Sequence, residues 1–224
     1  MNCLCCGKPL KEPSSASGWH PACIRRFFGT KALPEIDLTD EALTLLAEKA
    51  VQKGHTVPGV QKKLSLRLSV ESTPRLTMAD YPTGYILKPQ VQELRALPEA
   101  EHLVMQMAAA AGLTVVPHAL IRLQDGYAYL TRRVDRVPGQ NNAPVQMLTM
   151  EDFCQLDLRL TQDKYRGSYE RCVKVIKRYS SRPGLDLSEL FLRLVFCWIT
   201  GNSDMHLKNF SLLETAEDSR SYVL

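Results

Sequence analysis

The chain has no apolar run of membrane-spanning length; its best candidate, Leu190 to Thr200, is short and carries Arg193. No N-terminal signal peptide is visible either, because Met1 to Cys6 leads straight into polar sequence. A disulfide framework is not indicated. The cysteines number seven, an odd count, and Cys154, Cys172 and Cys197 are scattered among helix-like segments. These absences point to a reducing, cytoplasmic setting without a membrane partner. Low-complexity tracts and internal repeats are also missing. Charge of one sign is scarce: a net +4 favours anionic ligands such as nucleotides or nucleic acid without selecting between them. What remains is the composition of an ordinary globular protein, 45% hydrophobic and 23% charged. Its 224 residues are enough to bury a sizeable core.

Periodicity divides the chain into a strand-rich front and a helical back. Thr39 to Lys53 has apolar residues at helical spacing, with Thr39 or Asp40 as N-cap and Gly54 as stop. Leu64 to Val70 alternates as a strand does, and Arg75 to Met78 and Gly84 to Lys88 read as further strands. Pro98 to Ala111 is predicted helical, closed by Gly112. Leu113 to Val116, His118 to Leu123 and Tyr127 to Arg133 are predicted strands, with a turn signal at Asp125-Gly126. Helical patterns follow at Glu151 to Leu158, Tyr169 to Tyr179 and Leu187 to Thr200. This order fits an α+β, two-lobed architecture.

Residues 1–30 form a cysteine-rich head, and Phe27 to Pro34 reads as a linker. Cys3-x-x-Cys6-Gly7 is followed by His20-x-x-Cys23. Three thiols and one imidazole make a complete tetrahedral set for structural zinc. Gly7 allows the tight turn of the first pair. His20 and Cys23 fall one turn apart at the start of a helix, PACIRRFF, in the manner of a treble-clef-type zinc knuckle. The bland alternative is a group of free thiols, with Cys5 left over. Arg25 and Arg26 on that helix are weak signals for a nucleic-acid or protein contact.

The most informative stretch is Gly201 to Phe210, GNSDMHLKNF. Asp204 precedes Asn209 by five positions, the spacing of a protein-kinase catalytic loop. There a carboxylate takes or orients the proton of the attacking hydroxyl and an amide holds magnesium on the phosphates. A solvated aspartate and a turn-forming asparagine would give the same spacing, so the stretch alone is weak.

Further motifs in fixed order strengthen it: TVPGVQKKL at Thr56 to Leu64, ILKP at Ile86 to Pro89, EAEH at Glu99 to His102, RVDR at Arg133 to Arg136 and EDFCQ at Glu151 to Gln155. Together with GNSDMHLKNF these resemble the HipA family, serine/threonine kinases that act as toxins of bacterial toxin–antitoxin systems. The resemblance implies a protein-kinase-like fold. It divides the chain into a zinc-knuckle-like head (1–30), an ATP-binding N-lobe (31–136) and a partial helical C-lobe with the catalytic loop (137–224).

The resemblance also implies roles. Asp204 matches the catalytic aspartate and Asn209 a magnesium ligand, with His206 and Lys208 belonging to the same pattern. Lys88, at the end of an apolar strand, matches the lysine that pairs with the ATP phosphates. Glu101 is its helix partner, since Glu99 would point to another face. Thr56, Val57, Gly59, Gln61 and Lys63 fall in the loop that covers the nucleotide. Thr56 aligns with a hydroxyl that family members autophosphorylate, and Pro58 stands where short relatives have a second serine. Arg132 and Val134 fall on the hinge that receives adenine; family members often carry an acidic residue where this chain has Arg132. The implied cofactors are ATP and Mg. The implied partners are a helix-turn-helix DNA-binding antitoxin, a separate small N-subdomain protein as in HipT-like short members, and an aminoacyl-tRNA synthetase as protein substrate.

Longer relatives continue past the catalytic loop with a second metal-binding aspartate and more helices. Here Ser211 to Leu213 and Ser221 to Leu224 are predicted to pair as a hairpin, and Asp218 in its turn is a poor substitute for that aspartate. The apolar face of Leu190 to Ile199 is expected to lack its cover. Two function classes therefore stand at this point. One is an active kinase; the other is an inactive HipA-like fragment that binds only nucleotide, antitoxin or nucleic acid.

Overall fold

Alternation of apolar side chains builds the first sheet. In the computed structural model, residues 1–11, 17–36, 63–70, 73–78, 84–124, 126–137, 145–215 and 222–224 are described. They divide into two units, Met1–Arg133 and Val134–Leu224. The helix expected at Thr39 to Lys53 and the loop Thr56 to Lys62 lie outside the described residues. No described helix is long and apolar enough to cross a membrane.

The first unit opens with helix α1 (Pro21–Phe28), which Gly29 stops at φ 74°. Five strands follow: β1 (Leu64–Ser69), β2 (Arg75–Met78), β3 (Tyr85–Pro89), β4 (His118–Leu123) and β5 (Gly126–Arg132). They form one antiparallel sheet in the order β2-β1-β3-β5-β4. Helix α2 (Leu97–Ala110) runs between β3 and β4 in sequence.

Register assigns the two faces of this sheet. Leu64, Leu87, Leu130 and Ala119 lie directly across from one another on successive strands. All four are buried, and they share one core with Cys3, Trp19, Phe27 and Phe28 of the head. The row Lys88, Tyr129, Leu120 lies on the other face. There α2 packs against β4 and β5. The head is thus one layer of the unit, the sheet the second and α2 the third. Phe27 and Phe28, read as the start of a linker, instead finish α1 and are buried.

Two other expectations change. Leu113 to Val116 is no strand. The α2 C-terminus closes through Gly112 N to Ala109 O and Leu113 N to Ala108 O, with Gly112 at φ 87°. Pro117, which has no N–H to donate, then delays pairing until His118. The helix expected over Glu151 to Leu158 is split. Met150–Asp152 is strand β8, and only Phe153–Leu156 is helical (α3). Asp152 is the reason: it is the N-cap of a capping box with Gln155, so the helix can begin no earlier.

The second unit holds a short pair, β6 (Arg136–Val137) with β7 (Gln146–Met147), and a three-stranded sheet. That sheet has the order β10-β9-β8, with β9 at Ser211–Glu214 and β10 at Tyr222–Val223, so the expected hairpin is present. Helices α4 (Tyr169–Tyr179) and α5 (Pro183–Ile199) pack on each other. The core comprises Phe153, Cys172, Ile176, Leu190, Leu207 and Phe210 with their neighbours. Helix α5 buries Leu190 and half-buries Leu194. It leaves Phe191 65%, Trp198 83% and Ile199 69% exposed.

Candidate active-site residues and the cysteine–histidine cluster

In the first unit the site is built on the sheet face beneath α2. The apolar strand YILKP carries Lys88 to its far end, opposite Tyr129 of β5. The Lys88 ammonium lies 5.3 Å from the centre of the Tyr129 ring. It pairs with the Glu101 carboxylate on the second turn of α2, and both side chains are three-quarters buried. Glu99 sits in the first turn of the same helix and has no part in this pair. Lys63, at the mouth of β1, feels the same group. Burial lowers its pKa, the Lys88 charge lowers it further, and Glu101 opposes both. Burial first, and then the Glu101 carboxylate, push the Tyr129 phenol upward. The first unit therefore presents two lysines and one glutamate in a partly dry recess, a set suited to polyanionic phosphate.

Behind Glu101 runs a polar row that the sequence did not reveal. His102 is 7% exposed, with His118 Nδ1 3.0 Å from its Nδ1 and the Gln106 amide 2.8 Å from its Nε2. One neutral tautomer satisfies both contacts. His118 in turn stacks on Tyr129 at 6.0 Å. Burial and the neighbouring His118 lower the His102 pKa to about 4.

Among the other first-unit residues singled out, Arg132 is the last residue of β5, and its N–H donates to Pro117 O at 2.9 Å. Thr56, Val57, Gly59 and Gln61 lie outside the described residues. Val134, 41% exposed, opens the second unit.

In the second unit the Gly201–Phe210 stretch follows α5. Gly201, at φ 71°, ends the helix as glycine can. The Asn202 side chain then accepts from Asp204 N at 3.1 Å, a local turn that projects Asp204 outward. The Asp204 carboxylate is 69% exposed, and the Tyr165 hydroxyl donates to its Oδ1 at 2.8 Å. Asn209 donates its amide N–H to Asp204 O, which leaves its Oδ1 as a hard oxygen donor.

Anchors alternate with these exposed groups. His206 is largely buried edge-on to the Tyr165 ring at 5.0 Å, and its Nδ1 has no hydrogen-bond partner among the described residues. Leu207 is 3% exposed, and Phe210 stacks at 5.8 Å on Phe153. Lys208 reaches back to Asp152 Oδ2 at 2.6 Å, and Phe153 N donates to Phe210 O at 2.9 Å. The EDFCQ segment thus clamps the loop at two points. Lys208 is tied up structurally, while Asp204 and Asn209 face out. A cavity of about 310 Å³ opens beside the loop, lined by Tyr165, Gly167, Tyr169, Met205, His206 and Leu207 among others. Tyr165 lies 39 residues from Asp204, and no motif or period in the sequence marks it.

In the head, Cys3, Cys6, His20 and Cys23 converge, with their ligand atoms within 4.8 Å of one another. Cys5, in the same turn, is buried but is not one of the four. This group can hold a metal ion.

Known proteins that resemble the chain identify its family. The family model described as the HipA-like C-terminal domain matches residues 55–222. A Haemophilus influenzae protein named "Putative kinase" is 27% identical over 222 residues, 92% of this chain and 61% of that protein. A Sinorhizobium fredii protein named "Putative kinase Y4mE" is 32% identical over 163 residues, 70% of this chain and 38% of that protein. The chain therefore spans less than two-thirds of the length of these relatives. Among solved structures, the Shewanella oneidensis MR-1 toxin–antitoxin complex of HipA, HipB and operator DNA contains a similar chain. Its TM-score is 0.61 at 20% identity, covering 79% of this chain and 47% of that one.

Proposed function

The chain belongs to the HipA-like C-terminal domain family, and from that premise we propose that it carries the phosphoryl-transfer groups of a HipA-like serine/threonine protein kinase. The observation that carries this reading is the buried-side Lys88–Glu101 pair beneath α2. An ammonium fixed by a carboxylate in a recess is pre-set to meet the phosphates of ATP. Lys63 adds a second cation beside it. Lys88 and Glu101 thus serve the nucleotide, Asp204 serves as base, and Asn209 is a metal ligand.

Asn209 fits a magnesium ion: its free carboxamide oxygen is the kind of hard donor that ion takes. When bound, that ion neutralises charge on the phosphates. In the transfer, the acceptor hydroxyl oxygen forms a bond to the γ-phosphorus, the bond from that phosphorus to the ADP oxygen breaks, and the hydroxyl proton passes to Asp204. Thr56, Val57, Gly59 and Gln61 are assigned to the covering loop, and Arg132 and Val134 to the adenine side. Such a kinase would be cytoplasmic and the toxin of a toxin–antitoxin pair. Its partner would be a helix-turn-helix antitoxin, by analogy with the HipA–HipB complex. Its protein substrate would be an aminoacyl-tRNA synthetase, and a separate small protein would supply the N-terminal subdomain.

The test is transfer of label from γ-labelled ATP with magnesium, to the protein itself and to proteins of a soluble bacterial extract. Asp204→Asn should reduce transfer by roughly 10²–10⁴-fold while leaving nucleotide affinity nearly unchanged. Lys88→Met should weaken nucleotide binding itself. If wild type binds ATP but moves no label, the chain is a nucleotide-binding fragment and the kinase reading fails. If it does not bind ATP, both readings fail.

A further inference from the structure

We infer that Cys3, Cys6, His20 and Cys23 hold one zinc ion, and that this ion is a structural staple fastening the head to the sheet of the first unit. The donor set and its spacing come first. Cys6 Sγ lies 3.4 Å and Cys23 Sγ 3.8 Å from His20 Nδ1. Ligand atoms around a tetrahedral zinc stand about 3.5–3.8 Å apart, as bonds near 2.0–2.3 Å require.

The surroundings are those of a ligand shell. His20 Nε2 lies 3.1 Å from Pro9 O. A backbone carbonyl there fixes the proton on Nε2 and leaves the Nδ1 lone pair aimed at the sulfurs. His20 N–H points at Cys3 Sγ at 3.4 Å, a donor placed for a thiolate. The turn that brings Cys3 and Cys6 together is closed by Gly7 N to Cys3 O at 2.9 Å, with Gly7 at φ 69°. All four positions belong to the protein, so no place remains for substrate or catalytic water.

The same residues are stitched into the rest of the unit. Leu4, between the first two ligands, accepts from Leu120 N of edge strand β4 at 2.8 Å. A Cβ on Gly7 would stand 2.6 Å from Gln106 Oε1, so the knuckle lies directly against α2. The helix that His20 caps and Cys23 anchors delivers Phe27 and Phe28 to Tyr85, whose ring lies 6.0 and 5.5 Å from theirs. Tyr85 begins the strand that ends with Lys88 and Pro89. Trp19, 1% exposed, fills the space between. The head buries much of its apolar surface against the sheet, and the ion locks the two ends of that head to each other.

The test is metal analysis of the full chain purified under reducing conditions without added metal. About one equivalent of zinc is expected. Cobalt added to the apoprotein should give the visible bands of a tetrahedral thiolate site. Cys5→Ser should keep the metal, whereas Cys6→Ser and Cys23→Ser should lose it. A strong chelator should lower the unfolding midpoint of wild type by roughly 5–10 °C. If either ligand variant fails to fold, the wild-type titration decides alone. Less than about a tenth of an equivalent, with no uptake of zinc or cobalt by the reduced protein, overturns the site. Iron in place of zinc overturns the choice of ion, loss of metal in Cys5→Ser overturns the ligand set, and an unchanged midpoint on chelation overturns the staple.

Discussion

The hydroxyl of Tyr165 donates a 2.8 Å hydrogen bond to Oδ1 of Asp204. This contact gives an exposed carboxylate a fixed orientation. With Oδ1 occupied and the main chain held by Asn202, Oδ2 is the oxygen that the proposed mechanism would present to an acceptor hydroxyl. Tyr165 is a positioning residue in this reading. A hydrogen bond to a charged group contributes about 1.5–3 kcal/mol when sheltered and less where water competes. Tyr165→Phe should therefore lower kcat for phosphoryl transfer by about tenfold and leave KM for ATP unchanged. Initial rates at saturating and limiting ATP separate the two. An unchanged kcat would mean that the contact is incidental.

His102 makes the stability of the first unit sensitive to acid. Its pKa is lowered to about 4 by burial and by His118, against 6.5 for an ordinary histidine. Its other close contact is the Gln106 amide. The unfolded chain takes up this proton as pH falls through 6.5, and the folded chain refuses it until about 4. Stability is thus present above pH 6.5 and is lost progressively between 6.5 and 4. The loss is about 3 kcal/mol for this one group. Burial lowers His118 as well, so it adds in the same direction. Urea unfolding followed across that window should show a shallower pH dependence in His102→Gln than in wild type. Parallel curves would refute the assignment.

How much of this was legible in the sequence follows from the range of the forces involved. Strands such as His118–Leu123 and the helix Tyr169–Tyr179 lie where the periodicity put them, because one face of each is buried. Strand-end position, helical spacing and family resemblance together single out Lys88 and Glu101, and the two side chains pair. The apolar spacing of Glu151 to Leu158 predicts a continuous helix because it ignores what a capping aspartate does. Asp152 satisfies both Gln155 N and Lys208, so a local rule and a contact 56 residues distant act on one side chain. Phe27 and Phe28 looked like the edge of a linker because nothing local announces that an aromatic pair will pack on Tyr85. Tyr165 and His118 were invisible for the same reason: their contacts are long-range and they break no pattern.

Gly167 offers a mutation whose effect on the Gly201–Phe210 loop is set by space alone. An added Cβ would stand 2.6 Å from Leu207 Cγ and 2.7–2.8 Å from its two methyl carbons. Leu207 is 3% exposed and lies between His206 and Lys208, so its branch point must shift, into the cavity it lines or together with the loop. Its N–H is also tied to Lys164 O at 3.2 Å, only three residues from Gly167. Gly167→Ala should cost about 1–3 kcal/mol, the range for overpacking a filled core. Because the displaced residue is two positions from Asn209, phosphoryl transfer should fall by more than the lost stability explains at a temperature where the variant stays folded. Gly184→Ala is the control. Its Cβ would meet nothing within 4 Å and it lies in α5, so it should be neutral or stabilise by up to about 1 kcal/mol. Thermal unfolding and transfer rates of the two variants, measured side by side, make the comparison. Equal behaviour of the pair would show that Leu207 does not hold the loop.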